Sequence, residues 1–232
     1  MPAGLCRSHL ADAGSFEPRG FCTASRMRPM AATRRFGAET SKTRSALLDA
    51  AEALMLAEGY AAVTSRRAAA AAGLKPALVH YYFATMDELF LALYRRRVEQ
   101  GLERQTQALE SAQPLWALWE YSQDRHGTAL TMEFVALANH RKAIRAEIAA
   151  SAERFRAEQL QGLERVLARY GIPDEECPPI VCAVLITSIS RVLVIEQESL
   201  GMSSGHAQTV AFVERFLTRL EGPRQAEARL PA

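Results

Sequence analysis

The 232-residue chain contains no alternating run rich in Val, Ile, Thr, Tyr, Phe and Trp, so nothing in it requires a sheet. Helix breakers are scarce as well, with 13 glycines and 10 prolines against 41 alanines, the best helix former. The expected class is all-α. The 4 cysteines, Cys6, Cys22, Cys177 and Cys182, form no C-x-x-C pair and have no histidine at ligand spacing. That argues against a zinc site or a disulfide framework and fits reduced thiols in a cytoplasm. No apolar stretch of signal-peptide length opens the chain, and its most apolar segment, Ile180 to Ile195, is broken by Thr187, Ser188, Ser190 and Arg191. Neither a signal peptide nor a membrane span is expected. Also missing are G-x-S-x-G, H-E-x-x-H, G-x-G-x-x-G and the P-loop, so the chain is read as no enzyme and as holding no cofactor or metal.

What is present is a chain that is 49% apolar, enough for a sizeable core. Its net charge of +2 is unevenly spread. Residues 1–40 carry six Lys/Arg against three Asp/Glu, residues 41–97 eight against five, and residues 98–232 fourteen against eighteen. A basic front is joined to an acidic back. Residues 59–86 hold no carboxylate but include Arg66, Arg67, Lys75 and His80, a stretch suited to lie beside a polyanion; chance in an alanine-rich segment is the competing account.

Residues 1–40 scatter Pro2, Pro18, Pro29 and glycines among small and basic residues without periodicity, which reads as a disordered basic arm. From Ser41 onward the pattern is helix after helix. A first helix starts at Ser41 or Thr43, buries Leu47, Ala51, Leu54 and Met55, and stops at Gly59. A second spans Thr64 to Ala72, ends at Gly73, and is followed after Pro76 by a third reaching Phe83. Thr85-Met86-Asp87-Glu88 is a capping box that starts a long fourth helix. Pro114 opens a fifth, Gly127 marks a sixth running to about His140, and a seventh covers Arg141 to Tyr170. Two more, Pro178 to Leu200 and His206 to Leu220, complete nine.

Three short helices before a long one, the middle pair joined through Gly73, describe a helix-turn-helix whose later helix enters the major groove. Gly73 permits a left-handed turn; Ala68, Ala69 and Ala72 allow close approach; Leu74, Leu78 and Phe83 seat the third helix. An ordinary helical hairpin is the alternative. The segment TSRRAAAAAGLKPALVHYYFATMDELFLAL, with the preceding RSALLDAAEALMLAEGY, resembles the DNA-binding region of the TetR family of bacterial transcriptional regulators. The resemblance covers about residues 41–95 and is architectural beyond. Three positions depart from the usual pattern: Lys75 at a common serine, Val79-His80 at a common Leu-Tyr, and Met86 where a phosphate-binding lysine is common.

The resemblance implies a helix-turn-helix DNA-binding domain over residues 41–84 and an effector-binding and dimerisation domain over residues 85–232. It places Thr64, Ser65 and Arg66 on phosphates, and Lys75, Pro76, Ala77, His80 and Tyr81 on the base-reading side of the third helix. Tyr82 either bonds a phosphate or packs in the core, and Arg67 is either a phosphate contact or a solvated charge. His80 lacks the partner that a metal ligand or general base needs, so a surface or phosphate-facing histidine is preferred.

The same resemblance implies a small-molecule cavity among helices four to seven, where Phe90, Tyr94, Trp116, Trp119, Tyr121, Met132, Phe134 and Phe155 fall. Trp116, Trp119 and Phe134 are candidate lining residues, with core packing as the competing account. Glu133, Asn139, His140 and Arg191 sit in apolar patterns, where they either pair internally or meet a polar ligand group; His140 and Arg191 are carried as ligand candidates. One-sided stripes on the last two helices, including Val184, Ile195, Phe212, Phe216 and Leu220, suit a four-helix dimer interface or intramolecular core. The expectation is therefore a cytoplasmic, ligand-responsive regulator, a repressor in the first reading, that binds a palindromic double-stranded DNA operator as a homodimer and has no membrane partner. A constitutive DNA binder without effector is the alternative, with an enzyme well behind it.

Overall fold

The computed structural model describes residues 41–225, so the basic arm expected over residues 1–40 lies outside the described residues, as do Cys6 and Cys22. Between these limits run nine α-helices and a single 3-10 turn, with no strand among the described residues. They are α1 (Lys42–Glu58), the 3-10 turn (Tyr60–Ala62), α2 (Ser65–Ala71), α3 (Pro76–Tyr82), α4 (Met86–Glu110), α5 (Pro114–Ser122), α6 (Arg125–Ala138), α7 (Lys142–Arg169), α8 (Pro179–Leu200) and α9 (His206–Glu221).

Local chemistry sets most of the helix starts. Ser41, rather than Thr43, caps α1, its Oγ accepting the Arg44 N–H at 3.1 Å. Thr85 caps α4 by accepting the Glu88 N–H at 3.1 Å. The expected reciprocal half of that box is displaced by one residue, because Glu88 Oε2 accepts the Ala84 N–H at 2.8 Å instead of that of Thr85. The cap of α6 is Asp124, not Gly127: its Oδ1 takes the Gly127 N–H at 3.0 Å. A long-range cap fixes α5, where Glu221 at the end of α9 accepts the free N–H groups of Leu115 and Trp116, each at 2.9 Å.

Two apolar clusters form the interior. The first joins Leu47, Leu48, Ala51 and Met55 of α1 to Val79 and Phe83, Leu89, Phe90 and Leu93 of α4, and Phe134 and Leu137 of α6, so packing runs without a break across residue 84. The second gathers Leu115, Trp116, Leu118 and Trp119 of α5 with Leu163 and Val166 of α7, Ala183 of α8 and Leu217 of α9. Helices α4 and α7 meet closely at Gly162, where an added Cβ would stand 2.4 Å from Leu109 Cδ1.

Two expectations are corrected here. Cys177 and Cys182 form a disulfide, where the spacing suggested free thiols; Pro178 and Pro179 turn the chain into α8, and the two Cα atoms come to 6.7 Å. Helix α8 is also long and apolar enough to cross a membrane by length and composition, with a mean hydropathy of 1.9, although the sequence reading expected no span. In this fold it lies against the bundle through buried Ala183, Ser190 and Val194. Two of its polar interruptions are satisfied within the helix, Thr187 and Ser190 donating to the carbonyls of Ala183 and Ile186 at 2.9 and 2.6 Å.

Candidate nucleic-acid interface and interior cavity

Helix α2 ends in a double turn closed by two backbone bonds, Gly73 N–H to Ala70 O at 3.1 Å and Leu74 N–H to Ala69 O at 2.8 Å. Gly73 has φ +67, and an added Cβ would touch nothing within 4 Å, so glycine is needed for the backbone conformation rather than for room. Ala68 and Ala69 are fully buried beneath the turn. Val79 and Phe83 anchor α3, with the Arg44 guanidinium lying 5.2 Å from the Phe83 ring centroid. Leu78, expected as an anchor, is only half-buried.

This anchoring leaves Lys75, Pro76, Ala77, His80 and Tyr81 exposed along one side of α3, with Tyr81 53% exposed. Thr64 and Arg66 are exposed and Ser65 half-buried at the start of α2, where Thr64 Oγ1 caps the helix by accepting the Arg67 N–H at 3.3 Å. The Tyr82 ring packs against the first core cluster, edge-on to Tyr81 with centroids 5.0 Å apart. Arg67 is held by Glu58 through a two-pronged ion pair, with Nη1 at 2.9 Å from Oε2 and a second bond from Nη2 to Oε1. The bond from Arg67 lowers the Glu58 carboxyl pKa from its ordinary value.

Behind this face, α4 to α8 enclose a cavity of about 310 Å³. Tyr94, Arg97, Val98 and Arg104 come from α4, Leu118 and Tyr121 from α5, Thr131 and Phe134 from α6, Phe155, Arg156 and Gln159 from α7, and Thr187 and Arg191 from α8. Phe134 stacks edge-on against Tyr94 with centroids 4.9 Å apart. Burial raises the Tyr94 and Tyr121 phenols above their ordinary values, keeping them as neutral donors. Gly101 makes room for two of the aromatics, since a Cβ there would lie 2.7 Å from Phe155 Cζ and 3.1 Å from the Tyr121 hydroxyl.

Of the expected ligand residues, Phe134 and Arg191 line this cavity and Trp116, Trp119 and His140 do not. Both tryptophans point into the second core cluster, and Trp116 Nε1 donates to the Gly222 carbonyl at 3.0 Å. Their i, i+3 spacing marked a shared face of α5 correctly, but that face packs on α7, α8 and α9. His140 and Asn139 are exposed at the α6–α7 corner. Glu133 pairs internally, accepting the Tyr60 N–H at 2.7 Å and so tying α6 to the 3-10 turn. Arg97, Arg104 and Arg156 were missed; each is an arginine spaced three or four residues from an apolar position of its helix, a pattern that a solvated face produces equally well.

The cavity wall is wired to α1. Glu52 of α1 lies 3.0 Å from Arg96, 3.8 Å from Arg97 and 3.0 Å from His126 Nε2. Arg97 also reaches Asp124 at 4.0 Å, and Arg104 reaches the same carboxylate at 3.2 Å. Burial alone would raise the Glu52 carboxyl, but the His126 bond and the Arg97 and Arg96 charges together hold it below its ordinary 4.5.

Residues 47–93 match the family model of bacterial regulatory proteins of the tetR family. Over this segment the chain is similar to the TetR family. The TetR architecture extends over the remaining helices. A TetR transcription regulator from Haloarcula marismortui ATCC 43049 superposes with a TM-score of 0.61 at 18% identity, covering 76% of this chain and 96% of that one. A protein from Saccharomonospora viridis assigned as a transcriptional regulator, solved in complex with choline, gives 0.60 at 21% identity over 74% of this chain and 95% of that one. A transcriptional regulator from Rhodococcus sp. Rha1 gives 0.53 at 19% identity over 77% and 91%. At these identities the likeness is one of fold. No curated protein matches the chain. The matched segment contains the exposed side of α3, and the fold is the one shared by these regulators.

The last two helices present apolar side chains that no other described residue covers. Val184, Phe212 and Phe216 are 40%, 60% and 41% exposed, together with Leu185 and Val192, whereas Ile195 and Leu220 are half-buried. Leu220 packs against the second cluster, so among the expected interface residues it serves the interior.

Proposed function

We propose that the protein is a cytoplasmic repressor that binds a palindromic operator as a homodimer and is released by a small-molecule effector held in the α4–α8 cavity. The observation that carries this reading is the exposed side of α3. Lys75, Pro76, Ala77, His80 and Tyr81 project from a helix whose opposite side is locked by Val79 and Phe83, and the surrounding residues 59–86 contain no carboxylate to repel phosphates. Lys75 suits a guanine acceptor pair, and Ala77 or Pro76 a thymine methyl. Thr64, Ser65 and Arg66 at the start of α2 position the head on the backbone.

Two-fold DNA symmetry requires two heads. The apolar surface of α8 and α9, with Phe212 and Phe216 at its centre, supports pairing of two such hairpins into a four-helix interface, with Val184 beside it and Ile195 at its edge. Release needs a ligand that prefers one head spacing over another, and coupling of this kind typically changes affinity by about 5 to 150-fold. Glu52, Arg97 and Asp124 supply a route from the cavity wall to α1, and α4 carries it directly from the end of α3.

Selection of bound duplexes from a random pool tests the reading. The expected product is one palindrome with two half-sites, bound by a dimer in sedimentation. Phe212→Glu with Phe216→Glu should give a helical monomer that no longer retains the palindrome, because both rings are exposed within one chain and neither change buries a charge in its own core. Sequence-indifferent, salt-sensitive coverage from the parent protein would replace the reading with that of a constitutive binder.

A further inference from the structure

The cavity walls carry four guanidiniums, those of Arg97, Arg104, Arg156 and Arg191, against one carboxylate, Asp124. Asp124 is already engaged, lying 3.2 Å from Arg104 and 4.0 Å from Arg97 while capping α6. Arg156 and Arg191, on α7 and α8, make no ion pair with any carboxylate among the described residues. Arg156 is half-buried and Arg191 exposed, and neither guanidinium is held by a carboxylate that a bound anion would have to displace. The rest of the wall mixes apolar and aromatic side chains, among them Val98, Leu118, Leu130, Phe134 and Phe155, with neutral polar ones such as Gln105, Thr131 and Gln159.

From this arrangement we infer that the cavity takes an amphipathic organic anion, a carboxylate on an apolar body, with Arg156 and Arg191 as the receptors of its head. The inference rests on the reading of this cavity as the effector site and adds the ligand's chemical class. A planar guanidinium fork matches a carboxylate two-pronged, which a neutral amide or alcohol cannot reproduce. Phe134 and Phe155 offer the body a dry surface, and a cavity of about 310 Å³ lies at the small end of the range for organic ligands. A quaternary ammonium such as the choline bound to the Saccharomonospora viridis protein would meet uncompensated positive charge here.

Calorimetric titration of the full-length protein with decanoate and 1-naphthoate, each paired with its primary amide, and with choline tests the inference. At least one carboxylate should bind about tenfold or more tightly than its own amide, and choline should not compete. Arg156→Gln and Arg191→Gln should each weaken the carboxylate about tenfold and leave the amide nearly unchanged, while the exposed Arg165→Gln on the outer side of α7 changes neither. Arg156→Lys and Arg191→Lys guard against a folding defect, since they keep the charge and should retain part of the preference. Failure of both carboxylates to outbind their amides, or tighter binding of choline, overturns the inference, as does a carboxylate preference indifferent to both glutamine variants. The outcome separates from that of the functional reading: a selected palindrome with a cavity that prefers neutral or cationic probes removes only the ligand class, and carboxylate binding without a selected palindrome removes only the operator.

Discussion

The head and the body of this molecule use the same residue types in opposite ways. In the head, His80 and Tyr81 of α3 and Lys75 at its N-cap touch solvent, while alanines, Val79 and the Tyr82 ring do the packing. In the body, α5 puts both of its tryptophans inside, and two of the cavity's arginines, Arg97 and Arg104, share Asp124. The difference teaches where a change should be felt. An exposed side chain of α3 should hardly affect stability, whereas a buried one in either region should affect it first.

The sharpest contrast is between Trp119 and Tyr81. Trp119 is 2% exposed in the second cluster, so Trp119→Ala should cost about 3 to 5 kcal/mol of folding stability in a denaturant titration. Tyr81→Ala should leave the same transition within about 0.5 kcal/mol. Comparable losses from the two would mean that α3 is packed against something and is not a free reading surface.

Within the head, Lys75→Ala and Tyr81→Ala should each cost roughly 1 to 3 kcal/mol of operator affinity and relax the preference at particular base pairs, whereas Arg66→Ala should weaken all duplexes alike. Gel shifts on the selected palindrome and its single-base variants separate the two behaviours. Uniform losses from all three would assign α3 to the phosphate backbone.

The smallest expected effect lies at the joint between the regions. Because the Glu52 carboxyl is held below 4.5 in the folded protein, its stabilisation is present above that pH and disappears as pH falls through the lowered value. Glu52→Gln should therefore cost about 1 kcal/mol at neutral pH, and its difference from the parent should close on acidification. Thermal melts at pH 7 and at successively lower pH read this directly; a gap that stays constant with pH would show that packing, not charge, makes the joint.

The two regions also differ in how far their chemistry could be read from the chain. The caps at Ser41, Thr64 and Thr85 and the left-handed Gly73 lie within four residues of what they control, so the head appears in the sequence nearly as it folds. Even there, Leu78 was taken for the anchor that Val79 supplies, a rotation of one residue about a short helix. The body misled at Trp116, Trp119 and His140 because an apolar stripe on a helix records that a face is covered and not by what. Arg97, Arg104 and Arg156 were passed over for the complementary reason: one arginine on an amphipathic helix looks solvated until other helices close around it.

The amino-acid sequence by itself determined the all-α class, the order of the nine helices, their stops at Gly59 and Gly73, and the identity of the side chains on α3, since these depend on caps, turn residues and a 3.6-residue period acting over a few positions. Tertiary structure alone decided which side of α5 is core, that Glu221 caps that helix at Leu115 from 106 residues away, that Cys177 meets Cys182, and that four arginines from three helices share one cavity. Those outcomes depend on the rotation and register of whole helices, which are settled when apolar faces from distant parts of the chain find the packing that leaves the fewest buried polar groups without partners.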